Sequence, residues 1–522
     1  MDEPRALADV VRCTTGVARS IPAVIFPRNR EHVVAIVKLA SEYKTPLFPV
    51  STGRNWGYGS ANPVVDGCVL VNLSLLNRVV EPMDRTNGLI TIEPGVTQGD
   101  LAKYLEREGL PFMVPTTGAG PSASIVGNAL ERGYGITPIT DHFLAVVAIE
   151  AVLPDGSLYR SPLSALGATS GGQGFKWGVG PYVDGLFAQG GFGIVTKMTI
   201  ALARRPEIIK AFVFSLSAES DLEETITSVQ FILSRLPGIV GGINIMNARR
   251  VLAMSAPYPV DRLEPGRVIS APLLRELRAR YQVKPWTVFG TLYGTRRVVA
   301  AAQRDIRGML PAQASRLVFI SPRTAKWLHS AVRKMPWAGE RFGPTLATLK
   351  SSLELVSGRP NQTALPLAYW RLGPQDPNME LDPARDGCGL IWYSPLVDMK
   401  PESVRRFVEL ITDLMPSHGF EPLITLSSLS ERCFGSTVPV LFNLASSKDR
   451  EAARKCHLAL LNEGANQGFL PYRVGVESMS WLTQLAPEHW HIVSKLKAAL
   501  DPEGIMAPGR YASVKPRYEQ NG

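Results

Sequence analysis

The sequence predicts an α+β protein made of two units, the second of which interrupts the first. With 522 residues the chain is long enough for two or more packed cores. Hydrophobic residues make up 45% and charged residues 20% of it, which is typical of a globular protein and excludes a disordered one. Helix-like and strand-like segments alternate on both sides of residues 204–206, where the character of the chain changes.

The first unit opens with alternating helix and strand signals. Residues 31–44 carry apolar side chains at helical spacing, and Pro46 ends this pattern before a short apolar strand at 47–50. A second strand is predicted at 89–92. Residues 99–108 then form an amphipathic helix that the next glycine terminates, because glycine adopts the left-handed conformation of a helix end without strain.

A hairpin and a long loop complete the first unit. Residues 145–153 and 158–159 are predicted to pair as strands, because the Asp-Gly pair between them favours a tight turn. The glycine-rich stretch 167–193 is predicted to be an ordered surface loop that leads into a strand at 194–198.

The second unit mixes strands with long helices. Helices are predicted at 221–236 and 403–415, and strands at 423–426 and 438–442. The chain closes with a helix at 487–500. Since no repeat or flexible linker separates these segments, the expected order is a first unit, a second unit and a C-terminal return to the first.

Charge and cysteine content exclude several functional classes. The formal net charge is +10, but basic residues are not interleaved with aromatic ones as a nucleic-acid surface requires, and the arginine-rich piece 275–280 is typical of a solvated helix face. The five cysteines form no CxxC pair and the histidines do not cluster with them, so neither a disulfide framework nor a metal site is predicted. The acidic start lacks the order of a signal peptide and no run of about 18 apolar residues occurs. The predicted location is therefore cytoplasmic, unless the start has been trimmed, with no membrane contact.

The sharpest local motif is PVSTGRNWGYG at residues 49–59, directly after a predicted strand. Its three glycines permit backbone conformations that expose successive N–H groups, which form concave anion sites. Ser51, Thr52 and Asn55 can add donors, and Arg54 can place positive charge beside a pyrophosphate. The motif is neither a Walker loop nor a dinucleotide fingerprint. Two interpretations stay open, a phosphate-binding loop and a tight surface turn.

Two further segments carry candidate chemistry. Residues 118–142 are rich in small side chains that let a flat ligand approach the backbone, and they include Asp141. A buried carboxylate there can act as a general base, but an isolated aspartate is more often a helix cap or a turn residue. Tyr472 and Arg473 can bind an anion and lower the pKa of a bound phenol, and the alternative is an arginine at the rim of an ordinary strand or loop.

Taken together and in order, these segments resemble the flavoprotein family of vanillyl-alcohol oxidase and the flavin subunit of p-cresol methylhydroxylase. The resemblance spans nearly the whole chain, is densest in its N-terminal part and is weak over residues 206–385. The matching blocks are PVSTGRNWGYGSANP (49–63), SIVGNALERGYGITPITDH (124–142), GPYVDGLFAQGGFGIVTKM (180–198), IWYSP (391–395), PYR (471–473) and DPEGIMAPGR (501–510).

The resemblance implies a discontinuous FAD-binding domain of residues 1–205 and 466–522, with a cap domain of residues 206–465 inserted into it. The cap covers the isoalloxazine ring and forms the substrate pocket. The residues that the resemblance places around the cofactor are Pro49, Ser51, Thr52, Gly53, Arg54, Asn55, Tyr58, Gly59, Gly127, Asn128, Thr137, Asp141, Gly193, Ile194, Val195 and Arg510.

The resemblance also implies a chemistry, the oxidation of para-substituted phenols. Tyr58, Tyr472 and Arg473 match the residues that bind the substrate phenolate in this family, and Asp141 matches its active-site acid/base. A phenolate pushes electron density towards the para position, so hydride leaves the benzylic carbon for flavin N5 and a quinone methide forms. Water or an internal hydroxyl then completes an alcohol, an aldehyde or an alkene.

One position departs from the family pattern. Leu390 stands where vanillyl-alcohol oxidase has the histidine that links its flavin, so noncovalent FAD is predicted; a shifted register would bring Cys388 to that position. Oxygen or a cytochrome is the expected electron acceptor, and a homodimer is expected by analogy with the family. The alternatives are an FAD-dependent oxidase of a non-phenolic natural-product alcohol or amine, and a flavin subunit that passes electrons to a cytochrome.

Overall fold

The computed structural model describes residues 4–168, 174–264, 268–310, 314–333, 336–373, 375–376 and 379–514. Within these ranges the chain is α+β, as predicted, with three β-sheets and helices packed against them. Residues 169–173 of the glycine-rich stretch lie outside the described part. Of the helices that are described, none combines the length and the apolar character that crossing a membrane requires.

The first part of the chain builds two sheets. Its elements are α1 (Pro4–Val10), β1 (Val24–Ile25), α2 (Arg30–Glu42), β2 (Leu47–Val50), β3 (Val69–Asn72), β4 (Val79–Asp84), β5 (Leu89–Ile92), α3 (Gln98–Arg107), α4 (Ile125–Leu130), β6 (Val146–Val152), β7 (Leu158–Arg160), α5 (Pro162–Ala165) and β8 (Ile194–Ala201). Strands β1, β3 and β2 pair in parallel in that order. The second sheet is antiparallel, in the order β4-β5-β8-β6-β7, and contains the predicted hairpin as β6 and β7.

The second part of the chain forms one large antiparallel sheet. Its elements are β9 (Ile208–Leu216), α6 (Leu222–Arg235), β10 (Val240–Asn247), α7 (Ala248–Ser255), α8 (Ala271–Tyr281), β11 (Trp286–Gly294), α9 (Arg296–Met309), β12 (Ala314–Ile320), α10 (Pro322–Arg333), α11 (Pro336–Val356), β13 (Cys388–Tyr393), β14 (Leu396–Asp398), α12 (Pro401–Ser417), β15 (Thr425–Ser428), β16 (Cys433–Asn443) and α13 (Ser447–Asn466). The eight strands follow the order β12-β9-β11-β10-β15-β16-β13, with β14 also paired to β16.

The end of the chain contacts its first part. After α14 (Met479–Gln484) and α15 (Pro487–Leu500), residues 505–507 run beside β2. The N–H of Leu47 donates to the Ile505 carbonyl at 2.7 Å, and the N–H of Ala507 donates to the Leu47 carbonyl at 2.7 Å. The C-terminal segment thus satisfies the free edge of the three-stranded sheet. The domain boundaries at 205/206 and 465/466 stay predictions.

Two predicted elements shift for identifiable reasons. Helix α2 ends at Glu42, two residues before the predicted end, because Lys44 adopts a positive φ of 53°. The strand predicted at 423–426 is β15, which starts at Thr425. It starts late because the Asn247 side chain, rather than a neighbouring strand, donates to the Pro422 carbonyl and accepts the N–H of Ile424.

Strand β13 separates the core from the functional cavity. Ile391 and Tyr393 belong to the main hydrophobic core, between the large sheet and helices that include α6, α12 and α13. Leu390 and Trp392 alternate with them and point to the opposite face, where both line a cavity. The strand therefore presents one face to packing and the other to a ligand.

Candidate functional site

One cavity of about 360 Å³ lies where the loops of the first two sheets meet the large sheet. Its walls come from the loop after β2, from the segment around α4, from the turns before β8, from a short helical turn at Leu365–Tyr369, from β13 and from the C-terminal return. Segments far apart in sequence thus share one wall. The lining is a mixture of apolar and polar residues, as is typical of a small-molecule binding site.

The loop after β2 is fixed directly to β13. Gly57 has a φ of +78°, and a Cβ placed on it would lie 2.1 Å from Trp392 Cδ1. The Trp392 N–H donates to the Gly57 carbonyl at 3.2 Å. The Thr14 hydroxyl accepts the Gly57 N–H at 2.7 Å and donates to the Leu390 carbonyl at 3.0 Å. Glycine is therefore required at this contact, which sets the position of Tyr58, the next residue.

Tyr58, Tyr472 and Arg473 come together in this cavity. The Arg473 guanidinium lies over the Tyr58 ring, with Cζ 4.3 Å from the ring centroid. The Tyr58 hydroxyl lies 2.6 Å from Ser394 Oγ. Tyr472 packs edge-on against Tyr134, with ring centroids 5.9 Å apart. The three tyrosine rings and the Arg473 guanidinium line the same cavity. Ser394 is not among the lining residues.

A buried carboxylate that the sequence interpretation missed holds this cluster. Glu131 is 8% exposed, and its Oε2 lies 3.3 Å from Arg473 Nε, an ion pair that lacks the geometry of a hydrogen bond. Its other oxygen forms an ion pair with Arg510, and the Arg473 guanidinium also donates to Asn55 Oδ1. The sequence contained little indication of its role. Glu131 is one of two acidic residues in the block 124–142, and Asp141 was the one with a predicted function.

Burial and charge fix the ionisation of these groups. Burial raises the pKa of Tyr58 and of Tyr472, although Arg473 opposes the shift, so both phenols stay protonated. Burial alone would raise the pKa of Glu131, but Arg510 and Arg473 outweigh it and lower that pKa. Burial alone would lower the pKa of Arg473, but Glu131 outweighs it and raises that pKa. The cluster therefore holds two guanidinium ions, one carboxylate and two neutral phenols.

Most of the residues predicted around a cofactor line the cavity. They are Pro49, Ser51, Thr52, Gly53, Arg54, Asn55, Tyr58, Gly127, Asn128, Gly193, Val195 and Arg510. Gly59, Thr137, Asp141 and Ile194 are not among the lining residues. Gly59 packs against Val476, and the Ile194 side chain is fully buried in a core that it shares with α2, β2 and β3.

Two of the predicted residues have partners within the protein. Asp141 Oδ1 accepts the N–H of Leu144 at 2.9 Å, which is the turn geometry weighed as the alternative to a general base. The Asp141 backbone pairs with that of Tyr134, which lines the cavity, so Asp141 is next to the cavity wall without being part of it. Arg54 forms an ion pair with Asp382, from the second part of the chain, and joins the two parts at the cavity.

Comparisons with known proteins converge on flavoproteins. A model of the FAD binding domain family matches residues 21–161. The 1'-carboxy-chondrochloren decarboxylase of Chondromyces crocatus is 32% identical over 98% of this chain and 93% of its own length. The 4-cresol dehydrogenase (hydroxylating) flavoprotein subunit of Pseudomonas putida is 26% identical over 94% of this chain and 88% of its own. A crystal structure of p-cresol methylhydroxylase with substrate bound matches with a TM-score of 0.87 at 25% identity, covering 98% of this chain and 94% of that one.

The residues around the cavity fit FAD. Trp56 Nε1, Ser60 Oγ and Asn62 Oδ1 are buried without a hydrogen-bond partner among the described residues, and all three residues line the cavity. Buried polar atoms are almost always paired, so these await a polar ligand. A Cβ on Gly127 would lie 2.3 Å from Ser51 Oγ, so glycine is what lets α4 approach the loop after β2. Backbone and polar groups thus line a cavity that suits a polar cofactor such as FAD.

Proposed function

Because the chain belongs to the flavoprotein family of vanillyl-alcohol oxidase and p-cresol methylhydroxylase, whose members are FAD-dependent oxidoreductases, we propose that it oxidises a para-substituted phenol. Hydride leaves the benzylic carbon and a quinone methide results. The observation that carries this proposal is the placement of the Arg473 guanidinium over the Tyr58 ring, beside Tyr472, in the wall of the cavity. Two phenol donors and one cation form a binding site for an ionised aryl oxygen.

The protein's own groups create the phenolate and hold it. Since Tyr58 and Tyr472 stay protonated, each can donate its O–H to the substrate oxygen. Arg473 supplies the positive charge that favours loss of the phenol proton to solvent. The anion then pushes electrons to the para position, which weakens the benzylic C–H bond. When bound, FAD supplies the two-electron acceptor for that hydride.

We propose that Asp141 assists the second half-reaction, in which water adds to the quinone methide. Its backbone pairs with that of Tyr134. Burial is the main cause of the raised pKa of Tyr134, and the charge of Asp141 adds to it. An Asp141→Asn variant is expected to keep a normal rate of flavin reduction and to release product more slowly. Rapid-mixing kinetics separate the two steps, and a variant that slows reduction alone would remove Asp141 from this role.

We propose that FAD is held without a covalent bond. Leu390, at the position expected for a linking residue, projects a side chain that has no nucleophile into the cavity. Among the described residues, neither a cysteine nor a histidine lines that cavity, and burial raises the pKa of the tyrosines that do, Tyr58, Tyr134 and Tyr472, so they stay protonated. Cys388 is fully buried elsewhere, and burial raises the pKa of its thiol to about 12, so it stays protonated.

Flavin absorbance gives the direct test of phenol oxidation. Under anaerobic conditions we expect the flavin band of the purified protein to bleach on addition of 4-ethylphenol, vanillyl alcohol or eugenol. A non-phenolic benzyl alcohol should leave the band unchanged. If dithionite bleaches the flavin but none of the phenols does, the proposed substrate class is wrong and a non-phenolic alcohol or amine becomes the candidate.

The electron acceptor and the assembly are tested separately. Oxygen uptake during turnover identifies an oxidase, whereas reduction of an artificial dye without oxygen uptake identifies a dehydrogenase. The relative from Pseudomonas putida is a flavoprotein subunit, which makes a cytochrome the acceptor to try in the second case. Light scattering tests the proposed homodimer.

A second candidate function is oxidative decarboxylation of a phenolic acid. The observation that favours it is the 32% identity to a decarboxylase over 98% of this chain. If the carbon next to the benzylic carbon carries a carboxylate, hydride loss gives the same quinone methide. Loss of CO₂ then returns an electron pair to the ring and leaves an alkene. One equivalent of CO₂ per flavin reduced, measured with a 4-hydroxyphenylpropanoate, separates this reaction from simple hydration.

A further inference from the structure

Glu131 occupies a position that helix chemistry does not favour. It is the C-terminal cap residue of α4, where the helix dipole and the free carbonyl groups repel a carboxylate. It is also 8% exposed, and an isolated buried carboxylate is strongly disfavoured. What holds it there is a pair of guanidinium groups, Arg473 on one oxygen and Arg510 on the other.

The charges around Glu131 do not cancel. Arg473 and Arg510 contribute two positive charges and Glu131 one negative charge, which leaves a surplus of one. The other titratable groups that act on this cluster are the phenols of Tyr58, Tyr134, Tyr472 and Tyr511, whose pKa values burial raises, and the solvent-exposed Arg132. The phenols are neutral and the exposed arginine is screened by water. The surplus therefore equals the charge of one phenolate.

We propose that Glu131 is a positioning residue that sets the charge of the phenolate site. It anchors Arg473 over Tyr58 and cancels one of the two buried guanidinium charges, so that one positive charge is left for one ionised substrate oxygen. This inference rests on the proposed oxidation of phenols. It adds a residue that neither touches the substrate oxygen nor belongs to the tyrosine and arginine trio.

Removing the carboxylate has two opposite consequences. A surplus of two charges favours ionisation of a bound phenol more strongly, because the anion faces two unopposed cations in a poorly hydrated site. At the same time Arg473 loses its anchor, and the repulsion between Arg473 and Arg510 moves its guanidinium away from the Tyr58 ring. Ionisation becomes easier while the geometry for turnover becomes worse. A residue that only stabilised the fold would weaken both.

The test follows the ionisation of a bound phenol that cannot be oxidised. 4-Nitrophenol has no benzylic carbon, and its anion has a visible band of its own, so its protonation in the holoprotein can be titrated against pH. For Glu131→Gln we expect the acid ionisation constant of the bound probe to rise about ten-fold or more over the wild type. For 4-ethylphenol we expect kcat to fall about ten-fold or more, because Arg473 is displaced.

Three further variants isolate the charge. Glu131→Asp keeps the carboxylate and is expected to ionise the probe at the wild-type pH, with part of the turnover restored. Glu131→Gln combined with Arg510→Gln returns the surplus to one and is expected to do the same. Glu150→Gln removes a carboxylate that pairs with Arg30 and Arg160 away from the cavity, and should change neither reading.

The outcomes distinguish this inference from the proposed function. If Glu131→Gln binds FAD and ionises 4-nitrophenol at the wild-type pH, Glu131 does not set the charge of the site. The same conclusion follows if Glu131→Gln fails to fold and the double variant, which does fold, differs from the wild type in the ionisation of the probe. If the wild type itself neither ionises the probe nor is reduced by any phenol, the oxidation of phenols is at fault instead.

Discussion

At the level of single side chains, Tyr58 and Tyr472, the two proposed phenolate donors, have different surroundings. Tyr58 lies between the Arg473 guanidinium and the Ser394 hydroxyl, whereas Tyr472 rests edge-on against Tyr134. The Ser394 hydroxyl can accept the Tyr58 proton when the cavity is empty, so Tyr58 must exchange one partner for another when a phenolate binds. For Tyr472, the described contact is through the ring and leaves the hydroxyl available to a ligand.

Removing either hydroxyl is expected to slow flavin reduction. A hydrogen bond to a charged oxygen contributes about 1.5–3 kcal/mol, so Tyr58→Phe and Tyr472→Phe should each lower the reduction rate per unit of phenol concentration by roughly 10- to 100-fold. Stopped-flow absorbance of the flavin measures this rate. Tyr104→Phe, in the core beside the five-stranded sheet, is the matched control and should leave it unchanged. Equal rates in all three variants would contradict the phenolate site.

The trio could be found from the sequence, but its anchor could not. Tyr58, Tyr472 and Arg473 lie in recognisable motifs, and their side chains are hydrogen-bond donors or cations, which bind anions. Glu131 looks like an ordinary helix-end glutamate in the sequence, because its arginine partners are 342 and 379 residues away in the chain (473 − 131 and 510 − 131). Only the fold shows that the three side chains meet.

Among the structural elements, the loop after β2 contains two glycines that share a backbone conformation but have different surroundings. Gly57 and Gly67 both have a φ of +78°, but a Cβ on Gly57 would lie 2.1 Å from Trp392 whereas a Cβ on Gly67 would meet nothing within 4 Å. Both positions carry the same backbone strain when substituted. They differ only in the contact with β13, which gives a matched pair.

The pair separates backbone strain from packing. Gly67→Ala is expected to lower the free energy of unfolding by about 1 kcal/mol, the usual cost of the left-handed conformation for a residue with a Cβ. Gly57→Ala should lower it by roughly 2 kcal/mol more, since Trp392 must move as well. Urea unfolding of the two holoproteins measures both values. If they are equal, the loop does not depend on its contact with β13.

Local patterns predicted the elements better than their ends. Helix α15 spans the predicted residues 487–500, and Leu47–Val50 is strand β2 as expected. Strand β15 starts two residues late because Asn247 takes the hydrogen bonds of the preceding segment. A side chain 175 residues away from Pro422 decides that boundary, and periodicity carries no information about it.

Across the complete fold, the stability should depend on pH through two buried histidines. His142 and His457 are 4% and 8% exposed, and burial lowers the pKa of each from 6.5 to about 4. Between pH 6.5 and 4 the unfolded chain binds a proton on each histidine and the folded chain does not. The contribution of the two neutral histidines to the free energy of unfolding is therefore fully present above pH 6.5. It falls as the pH drops from there towards 4.

This dependence can be measured by urea unfolding at about pH 7 and about pH 5, a window in which most carboxylates are ionised in both states. The two histidines together should lower the free energy of unfolding by roughly 4 kcal/mol over that interval, about 2 kcal/mol each. His142→Gln and His457→Gln should each remove about half of the decrease. A wild-type value that does not change would show that the histidines are not kept neutral by burial.

The order of the predicted segments and the sequence resemblance both indicated a C-terminal return, but neither identified the strand that the returning segment contacts. Residues 505–507 lie beside Leu47, and no periodicity in either segment marks the other as a partner. The cavity is built the same way, with walls from the loop after β2, from β13 and from the C-terminal return. A ligand that contacts three distant segments at once is expected to stabilise their arrangement together.

Whether FAD is bound covalently or noncovalently is therefore expected to determine how the free energy of unfolding of the protein responds to added FAD. If the flavin is bound without a covalent link, free FAD shifts the folding equilibrium by mass action, by about 2.7 kcal/mol at a hundred-fold excess over its Kd. The melting temperature should then rise with FAD concentration, and acid precipitation should leave a colourless pellet under a yellow supernatant. The variant Leu390→His places a nucleophilic side chain in the cavity at the position of the leucine. A wild-type pellet that stays yellow would contradict noncovalent binding, and Leu390 would then not determine how the flavin is attached.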